Sequence, residues 1–243
     1  AETYDAHVDV QRDVAAGLLA RLGQAAAPRA ILEIGCGTGN FTRGLSLAFP
    51  QAEITAIDFC PGMLAVARRK LTDVQQVRFE SADGEQFSAE PGHFDLIASS
   101  AAFQWFDDLS AAVQRYARML PATGELAFAM FGPETFGELT RVLSKSWPEA
   151  VPAAREFLPA ERLQSLLAES FVQVEIAEHR ERREYPSLLE LLRKIQLTGT
   201  GAGQRHGMLS PSRMRRIEAD YRGALGVIAA TYQVFFCRAT SPR

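Results

Sequence analysis

The sequence predicts an α/β fold: one mostly parallel sheet of seven strands, with helices on both of its faces. Through residue 131, short apolar runs of strand length alternate with segments whose apolar residues recur at helical spacing, and this alternation is typical of βαβ units. After residue 131 the pattern changes, and two helical segments interrupt the final pair of strands. These two segments predict a helical cap inserted before the last strand.

Local signals place the elements of the first half. Apolar residues form one stripe along the first helix, which ends at Gly23; Pro50 follows the second helix, and Pro61 opens the third. The predicted helices cover 7–23, 41–49, 61–71 and 109–120. The strands between and after them are apolar runs at 30–34, 53–57, 77–80, 94–99 and 125–131.

In the second half, alternating apolar residues predict two closing strands, and the remaining periodic segments are helical. Helices are predicted at 135–147, 159–170, 187–197 and 211–224, and strands at 172–178 and 231–238. With 243 residues, of which 47% are hydrophobic, the chain can form one well-packed domain. We expect a single domain over 1–243, with a ligand-binding core at 1–131, helical cap or insertion segments at 132–170 and 186–226, and closing strands at 171–178 and 230–238.

Composition excludes several classes of protein. No apolar run approaches the roughly 20 residues of a membrane-spanning helix, and the polar, acidic start of the chain does not resemble a signal peptide. Cys36, Cys60 and Cys237 are odd in number and widely spaced, which argues against a disulfide framework or a zinc site. We therefore expect a cytoplasmic protein without a metal centre and without a membrane partner.

Charge is distributed unevenly along the chain. Residues 1–177 contain 14 basic and 23 acidic side chains, whereas residues 178–243 contain 12 basic and 6 acidic ones. A basic final third suggests that an anionic partner meets that part of the molecule, although a solvated helix surface would give the same pattern. Nucleic acid is disfavoured because the rest of the chain is acidic and the basic part has no nucleic-acid-binding motif.

A glycine-rich turn follows the first strand. Residues 31–41 read ILEIGCGTGNF, and a strand that runs through glycines into a helix is typical of a nucleotide-type site, because glycine allows close backbone approach and positive φ. The spacing is G-x-G-x-G and not the G-x-G-x-x-G of dinucleotide-binding proteins. Glu33 would repel a pyrophosphate, but it would suit a cation such as an ammonium or a sulfonium.

Two further acids follow the next two strands. Asp58 comes at the end of the second strand, where an acid can accept hydrogen bonds from both hydroxyls of a ribose. Asp83 follows the third strand, where it can reach an adenine amino group. Because the carboxyl ends of parallel strands share one edge of the sheet, three acids and the glycines predict one ligand site there.

These motifs resemble the class I S-adenosylmethionine-dependent methyltransferases, whose fold is a Rossmann-like seven-stranded sheet. The resemblance implies S-adenosylmethionine as the cofactor and S-adenosylhomocysteine as its product. Glu33 would lie at the methionine end, Asp58 at the ribose and Asp83 at the adenine, where Met63 would pack. The implied cofactor-binding residues are Glu33, Gly35, Cys36, Gly37, Gly39, Asp58, Phe59, Met63, Ala82, Asp83, Gly84 and Ser99.

The flanking segments resemble one branch of this family, the biotin-pathway malonyl-acyl carrier protein O-methyltransferases. The similar segments are 4–12, 99–106, 131–135 and 231–236, and one departure is Ser100, where the branch commonly has Asn. This resemblance implies carboxyl methylation of a malonyl thioester on acyl carrier protein, or on coenzyme A, early in biotin biosynthesis. A carboxylate is ionised at neutral pH, so this transfer requires no general base and we expect no catalytic acid or base.

Two sets of residues are candidates for the substrate site. The methyl-transfer pocket would be walled by Tyr4, Gln104, Trp105 and Tyr232. An arginine would suit the substrate carboxylate, and the candidates are Arg141, Arg155, Arg193 and Arg205. Acyl carrier protein is acidic, so a basic face would suit it; the docking candidates are Arg180, Arg182, Arg183, Arg193, Lys194, Arg213, Arg215 and Arg216.

Three alternative functions remain open at this stage. A related methyltransferase acting on a free acid such as trans-aconitate would share the core but would need no docking face. A nicotinamide-dependent oxidoreductase would require different glycine spacing and no Glu33. A non-catalytic binding protein could keep the fold without turnover, because a fold does not establish chemistry.

Overall fold

A computed structural model describes residues 9–22, 27–147, 152–197 and 210–243. The helices are α1 (Asp9–Leu19), α2 (Asn40–Ala48), α3 (Pro61–Lys70), α4 (Leu109–Met119), α5 (Gly137–Ser146), α6 (Ala160–Ser170), α7 (Leu188–Leu197) and α8 (Pro211–Leu225). The strands are β1 (Ala30–Ile34), β2 (Glu53–Asp58), β3 (Val77–Ser81), β4 (Leu96–Ser100), β5 (Glu125–Phe131), β6 (Phe171–Tyr185) and β7 (Ile228–Pro242).

The seven strands form one mixed sheet in the order β3-β2-β1-β4-β5-β7-β6. β1 pairs in parallel with β2 and β4, β2 with β3, and β4 with β5. Helices α7 and α8 come between β6 and β7 in the chain. The predicted α/β class, the seven-stranded sheet and the position of the helical insertion are therefore confirmed.

The two closing strands are longer than predicted. β6 covers Phe171–Tyr185 and not 172–178, and β7 covers Ile228–Pro242 and not 231–238. The added residues of β6 are mostly charged, and such residues have low intrinsic strand preference. As the last strand of the sheet, β6 exposes one edge, where charged side chains are tolerated and prevent unwanted pairing.

The chain divides into two compact units. The first comprises the described residues of Ala1–Met130, Ala160–Ala177 and Phe235–Arg243, and the second those of Phe131–Pro159 and Glu178–Val234. The single-domain organisation predicted from the sequence stays a prediction. In the described part of the chain, no helix is both long and apolar enough to cross a membrane.

The core of the first unit is the centre of the sheet. Ile31, Leu32 and Ile34 of β1 are buried, as is every residue of β5. Parallel strands covered on both faces require such continuous apolar runs, which is why these strands were the clearest in the sequence. Because β1, β2, β3 and β4 pair in parallel, their carboxyl ends lie at the same edge of the sheet.

In the second unit, polar contacts join β7 to the segment after β5. The Thr135 hydroxyl donates to the backbone carbonyl of Gln233 at 3.1 Å, and the backbone N–H of Gln233 donates to Thr135 Oγ1 at 3.2 Å. Glu138 at the start of α5 accepts hydrogen bonds from the backbone N–H and the hydroxyl of Thr231, at 2.9 and 2.6 Å. These bonds hold α5 against β7 beside Tyr232.

Candidate cofactor site

Hydrogen bonds join the carboxyl ends of four neighbouring strands. The N–H groups of Gly35 and Cys36 both donate to the Ile57 carbonyl, at 2.9 and 3.0 Å, and the Ala82 N–H donates to the Asp58 carbonyl at 3.2 Å. The buried Ser99 hydroxyl donates to the Ile34 carbonyl at 2.8 Å. The order of the strands changes direction between β1 and β4, since β2 and β3 lie on one side of β1 and β4 and β5 on the other, and ligands of open α/β sheets bind at such a point.

Each glycine of the turn has a separate structural requirement. Gly35, Gly37 and Gly39 have φ values of 72°, 54° and 83°, in the left-handed region that favours glycine. A Cβ on Gly35 would lie 2.5 Å from the Ala102 Cβ, and one on Gly39 would lie 2.7 Å from Leu71 Cδ1. A Cβ on Gly37 would meet no atom within 4 Å, so at Gly37 the turn faces open space.

The Asp58 carboxylate is hydrogen-bonded to the glycine turn and to the residues that follow β2. Its Oδ2 accepts a hydrogen bond from the Gly37 N–H and its Oδ1 accepts one from the Cys60 N–H, both at 2.8 Å. The side chain is buried, with 8% of the residue exposed. Each carboxylate oxygen has a second lone-pair direction, so an oriented Asp58 can still accept two hydrogen bonds from a diol.

Glu33 is a buried acid at the base of the same site, with 1% exposure. Burial raises the pKa of Glu33 to about 8, the nearby Thr42 hydroxyl lowers it in part, and the negative charge of Asp58 raises it further. Glu33 Oε2 and Thr42 Oγ1 nevertheless make no hydrogen bond of ordinary geometry in the described residues. An unpartnered buried acid is stabilised by a cationic ligand, which would supply both the charge and the missing donor.

The end of β3 forms the outer part of the site. Asp83 Oδ1 accepts a hydrogen bond from the Glu85 N–H at 2.9 Å, and the Gly84 carbonyl accepts one from the Tyr116 hydroxyl at 2.7 Å. A Cβ on Gly84 would lie 2.5 Å from Ile34 Cγ2. Phe59 is 80% exposed beside Asp58. An apolar ring this exposed next to a ligand site can cover a planar base.

The chain is similar to known proteins in sequence and in fold. Residues 31–124 match the model of a methyltransferase domain. The malonyl-(acyl-carrier protein) O-methyltransferase of Halorhodospira halophila is 34% identical, over 97% of this chain and 82% of its own length. This chain belongs to the malonyl-(acyl-carrier protein) O-methyltransferase family.

Further similarities agree with this membership. The malonyl-(acyl-carrier protein) O-methyltransferase of Bacillus anthracis is 32% identical, over 99% of this chain and 93% of its own length. Among solved structures, a putative methyltransferase of Bacillus halodurans has the same fold, with a TM-score of 0.67 at 14% identity, over 95% of this chain and all of that one. The chain is therefore an S-adenosylmethionine-dependent methyltransferase.

The residues present fit this cofactor. Glu33 is an unpartnered buried acid that suits a cation, Asp58 presents two oriented oxygens that suit a ribose, and Gly37 faces open space. The predicted residues Glu33, Gly35, Cys36, Gly37, Gly39, Asp58, Ala82, Asp83, Gly84 and Ser99 lie in β1, β2, β4 and the turns that follow β1 and β3. Met63 lies half-buried in α3. Their contacts with the cofactor stay predictions.

The candidate pocket residues of this methyltransferase lie in both units. Gln104 and Trp105 belong to a short 3-10 turn after β4 in the first unit, with Trp105 39% exposed. Tyr232 lies in β7 of the second unit, with its hydroxyl 2.6 Å from that of Tyr185. Burial and Tyr185 raise the pKa of Tyr232 well above its usual range, so its phenol stays neutral. Tyr4 lies outside the described residues.

The four arginine candidates are in different environments. Arg193 forms an ion pair with Glu190 at 3.2 Å in α7, and Arg155 is exposed in a 3-10 turn, Ala153–Glu156. Arg205 lies outside the described residues. Arg141 lies in α5, where it forms no ion pair or hydrogen bond with any part of the described chain, and its positive charge lowers the pKa of Tyr221 in part.

Some site residues gave no signal in the sequence. Ala101 has φ +57°, a left-handed conformation that alanine rarely adopts, so no residue preference pointed to it. The Cys60 N–H contacts Asp58 through the backbone, which no side-chain pattern reports. Thr42 could have been identified as a polar residue in the first turn of α2, shortly after the glycine turn.

Proposed function

We propose that this protein methylates the free carboxylate of malonyl-acyl carrier protein, an early step towards biotin. The observation that carries the proposal is the extent of similarity: relatives of that name match 97% and 99% of this chain, well beyond the methyltransferase domain at 31–124. Methylation masks the malonyl charge, so that a fatty-acid elongation system can extend the chain as if it were apolar.

The reaction requires positioning more than proton transfer. The cofactor supplies a methyl group on a sulfonium sulfur. A carboxylate oxygen of the substrate attacks the methyl carbon while the methyl–sulfur bond breaks, which gives a methyl ester and S-adenosylhomocysteine, and no proton is transferred. In such a displacement, alignment of the two reactants and exclusion of water lower the activation barrier. Glu33, Asp58 and the glycine turn would provide the alignment on the cofactor side.

The experiment that tests this function is methyl transfer from S-adenosylmethionine to malonyl-acyl carrier protein, read by intact mass. Malonyl-coenzyme A and free trans-aconitate are offered in parallel. We expect a gain of one methyl group, faster on the carrier protein than on either alternative. Transfer to trans-aconitate alone would reject the proposed substrate and retain a methyltransferase of free acids. No transfer to any of them would reject both.

We further propose Arg141 as the residue that binds the malonyl carboxylate. Glu138, one helical turn before it, is bonded to Thr231 of β7, and residues three apart share a helix face. Arg141 thus projects from a helix that is fixed beside Tyr232. Its guanidinium has no counter-ion in the described part of the chain, so its donors are available for a bidentate carboxylate contact.

Arg141→Gln is expected to raise the KM for malonyl-acyl carrier protein by about tenfold or more, the usual effect of losing a charged hydrogen bond. The affinity for S-adenosylhomocysteine should not change. Steady-state kinetics and calorimetry measure the two effects separately. Arg162→Gln, at an exposed position of α6, serves as the control. If Arg155→Gln reduces activity and Arg141→Gln does not, the assignment to Arg141 is wrong.

The predicted basic docking residues lie on β6, α7 and α8, and on α7 Arg193 is paired with Glu190 beside Lys194. On β6, each candidate arginine is paired with a glutamate: Arg180 with Glu178 and Glu134, Arg182 with Glu184, and Arg183 with Glu181, at distances of 2.5–2.9 Å. These pairs largely neutralise the strand. On α8, Arg213, Arg215 and Arg216 are exposed, and Arg213 lies over the Trp147 ring at 5.1 Å. We call these three residues the α8 basic surface.

We propose that the α8 basic surface docks the acidic carrier protein. Arg215→Glu with Arg216→Glu should raise the KM for malonyl-acyl carrier protein about tenfold or more at low salt, because charge reversal converts attraction into repulsion. Activity on malonyl-coenzyme A should be unchanged, and the salt dependence should weaken. Arg162→Glu is the matched control. An equal loss on both substrates, or no loss on either, would contradict docking at this surface.

A cytoplasmic location is part of the proposal. Cys36, Cys60 and Cys237 are all free thiols, which agrees with a reducing compartment. Fractionation of the native host would test the location directly, and recovery of the protein outside the cytoplasm would overturn it.

A further inference from the structure

Gln104 lies in a turn that is held firmly in place after β4. The turn is Phe103–Trp105, and its first residue is 1% exposed. The Phe103 ring lies 4.8 Å from that of Phe128, 5.0 Å from that of Phe106 and 5.7 Å from that of Tyr116, measured between centroids. Such a cluster fixes the backbone of the turn, so the Gln104 side chain starts from a defined position.

Only one of the two polar atoms of the Gln104 side-chain amide has a hydrogen-bond partner among the described residues. Its Nε2 donates to the Ala101 carbonyl at 2.7 Å, and this bond identifies which end is the oxygen, since the reversed amide would place two acceptors together. The other atom, Gln104 Oε1, is buried and has no hydrogen-bond partner among the described residues. A buried acceptor without a donor is rare in folded proteins and calls for a ligand or a water.

The backbone that orients this amide is strained. Ala101 has φ +57°, while its N–H donates to the Ala129 carbonyl at 2.8 Å. A left-handed alanine costs roughly 1–2 kcal/mol and is retained when it serves another purpose. Here it directs the Ala101 carbonyl towards the Gln104 amide nitrogen, which leaves Oε1 as the acceptor without a partner in the described residues.

The same turn adjoins the glycine loop at the end of β1. Gly35 approaches Ala102 so closely that a Cβ would lie 2.5 Å from the Ala102 Cβ. This part of the predicted cofactor site contains Glu33 and Gly35, where the positively charged methionine end of the cofactor is expected to bind. Asp58, in contrast, lies at the end of β2, and Asp83 follows β3. An ionised substrate carboxylate has no hydrogen to donate, so it cannot satisfy Gln104 Oε1. The α-ammonium of the methyl donor can.

We propose that Gln104 is a cofactor-binding residue whose Oε1 accepts a hydrogen bond from the α-ammonium group of S-adenosylmethionine. The residue thereby connects the cofactor to the turn after β4. The inference rests on the cofactor and not on the identity of the methylated substrate, so it can be tested without any methyl acceptor.

The test compares two ligands on two proteins by isothermal calorimetry. The ligands are S-adenosylhomocysteine and its desamino analogue, which lacks only the ammonium group. Gln104→Met has similar length but lacks the amide oxygen, and it should bind S-adenosylhomocysteine about tenfold or more weakly. The desamino analogue should bind the wild type and the variant equally. Gln114→Met, at an exposed position of α4, is the matched control and should change neither affinity.

A purely structural role for Gln104 predicts a different result. In that case Gln104→Met would weaken the binding of both ligands to the same extent, and such a result would overturn the proposal. Unchanged affinity for both ligands would also overturn it.

Discussion

Asp58→Ala is expected to weaken the binding of S-adenosylhomocysteine by about a hundredfold or more. The wild-type carboxylate is oriented by the N–H groups of Gly37 and Cys60, each at 2.8 Å, so it can accept two hydrogen bonds from the ribose without reorganisation. A hydrogen bond to a charged group contributes about 1.5–3 kcal/mol, and about 1.4 kcal/mol is tenfold in affinity. Calorimetry gives the loss directly.

The same substitution also removes the partner of two backbone donors. The Gly37 and Cys60 N–H groups would lose their shared acceptor, so the glycine turn should become less ordered and the melting temperature should fall. Asp58→Asn keeps one oxygen acceptor and should give an intermediate affinity. Asp73→Ala, which removes an exposed ion pair with Arg43, is the control. An unchanged affinity in Asp58→Ala would show that the ribose does not bind there.

Binding of S-adenosylhomocysteine is expected to weaken about tenfold for each pH unit below about 8, because of Glu33. In the free protein, burial raises the pKa of Glu33 to about 8, so its carboxyl is mostly protonated at neutral pH. A bound ammonium lowers that pKa, because it favours the charged form. Binding therefore releases a proton, and lowering the pH opposes it.

The groups around Glu33 do not reverse this sign. Asp58 is negative and raises the pKa of Glu33, and Thr42 is neutral and lowers it only in part. Burial, together with the charges of Glu33 and Asp58, raises the pKa of the Cys36 thiol, so that this thiol stays neutral. In the cofactor-free protein, the raised pKa of Glu33 also makes folding less favourable as the pH rises from 4.5 towards 8.

Glu33→Gln provides the measurement, because it keeps the shape of the side chain and cannot ionise. Between about pH 6 and about pH 7.5 the α-ammonium of the ligand stays charged, because it belongs to a free amino acid whose carboxylate stabilises the ammonium form. The wild-type affinity should rise steeply over this interval, while that of Glu33→Gln should stay nearly flat and lower at the upper end. Parallel pH profiles in the two proteins would contradict the role of Glu33.

The order and type of the main elements could be predicted from the sequence. The bounds of β1 and β5 were predicted to the residue, because strands covered on both faces are nearly continuous apolar runs. The extra length of β6 could not be predicted, because its added residues are mostly charged, and that of β7 could not, because its added residues include three alanines and a proline; all of these have low strand preference. Which strand lies at the edge of the sheet depends on pairing between residues far apart in the chain, and local sequence patterns do not report such pairing.

The sequence by itself determined the family and the chemical character of the cofactor site. Glycines at positive φ, an acid before them and acids after the next two strands are local requirements, so they are visible in the order of residues. Only the tertiary structure decided which polar groups remain unpaired: Glu33 and Gln104 retain unsatisfied oxygens, and the arginines of β6 are paired with glutamates. Pairing and burial depend on residues far apart in the chain that packing brings together, and these set the charge and the pKa on which binding depends.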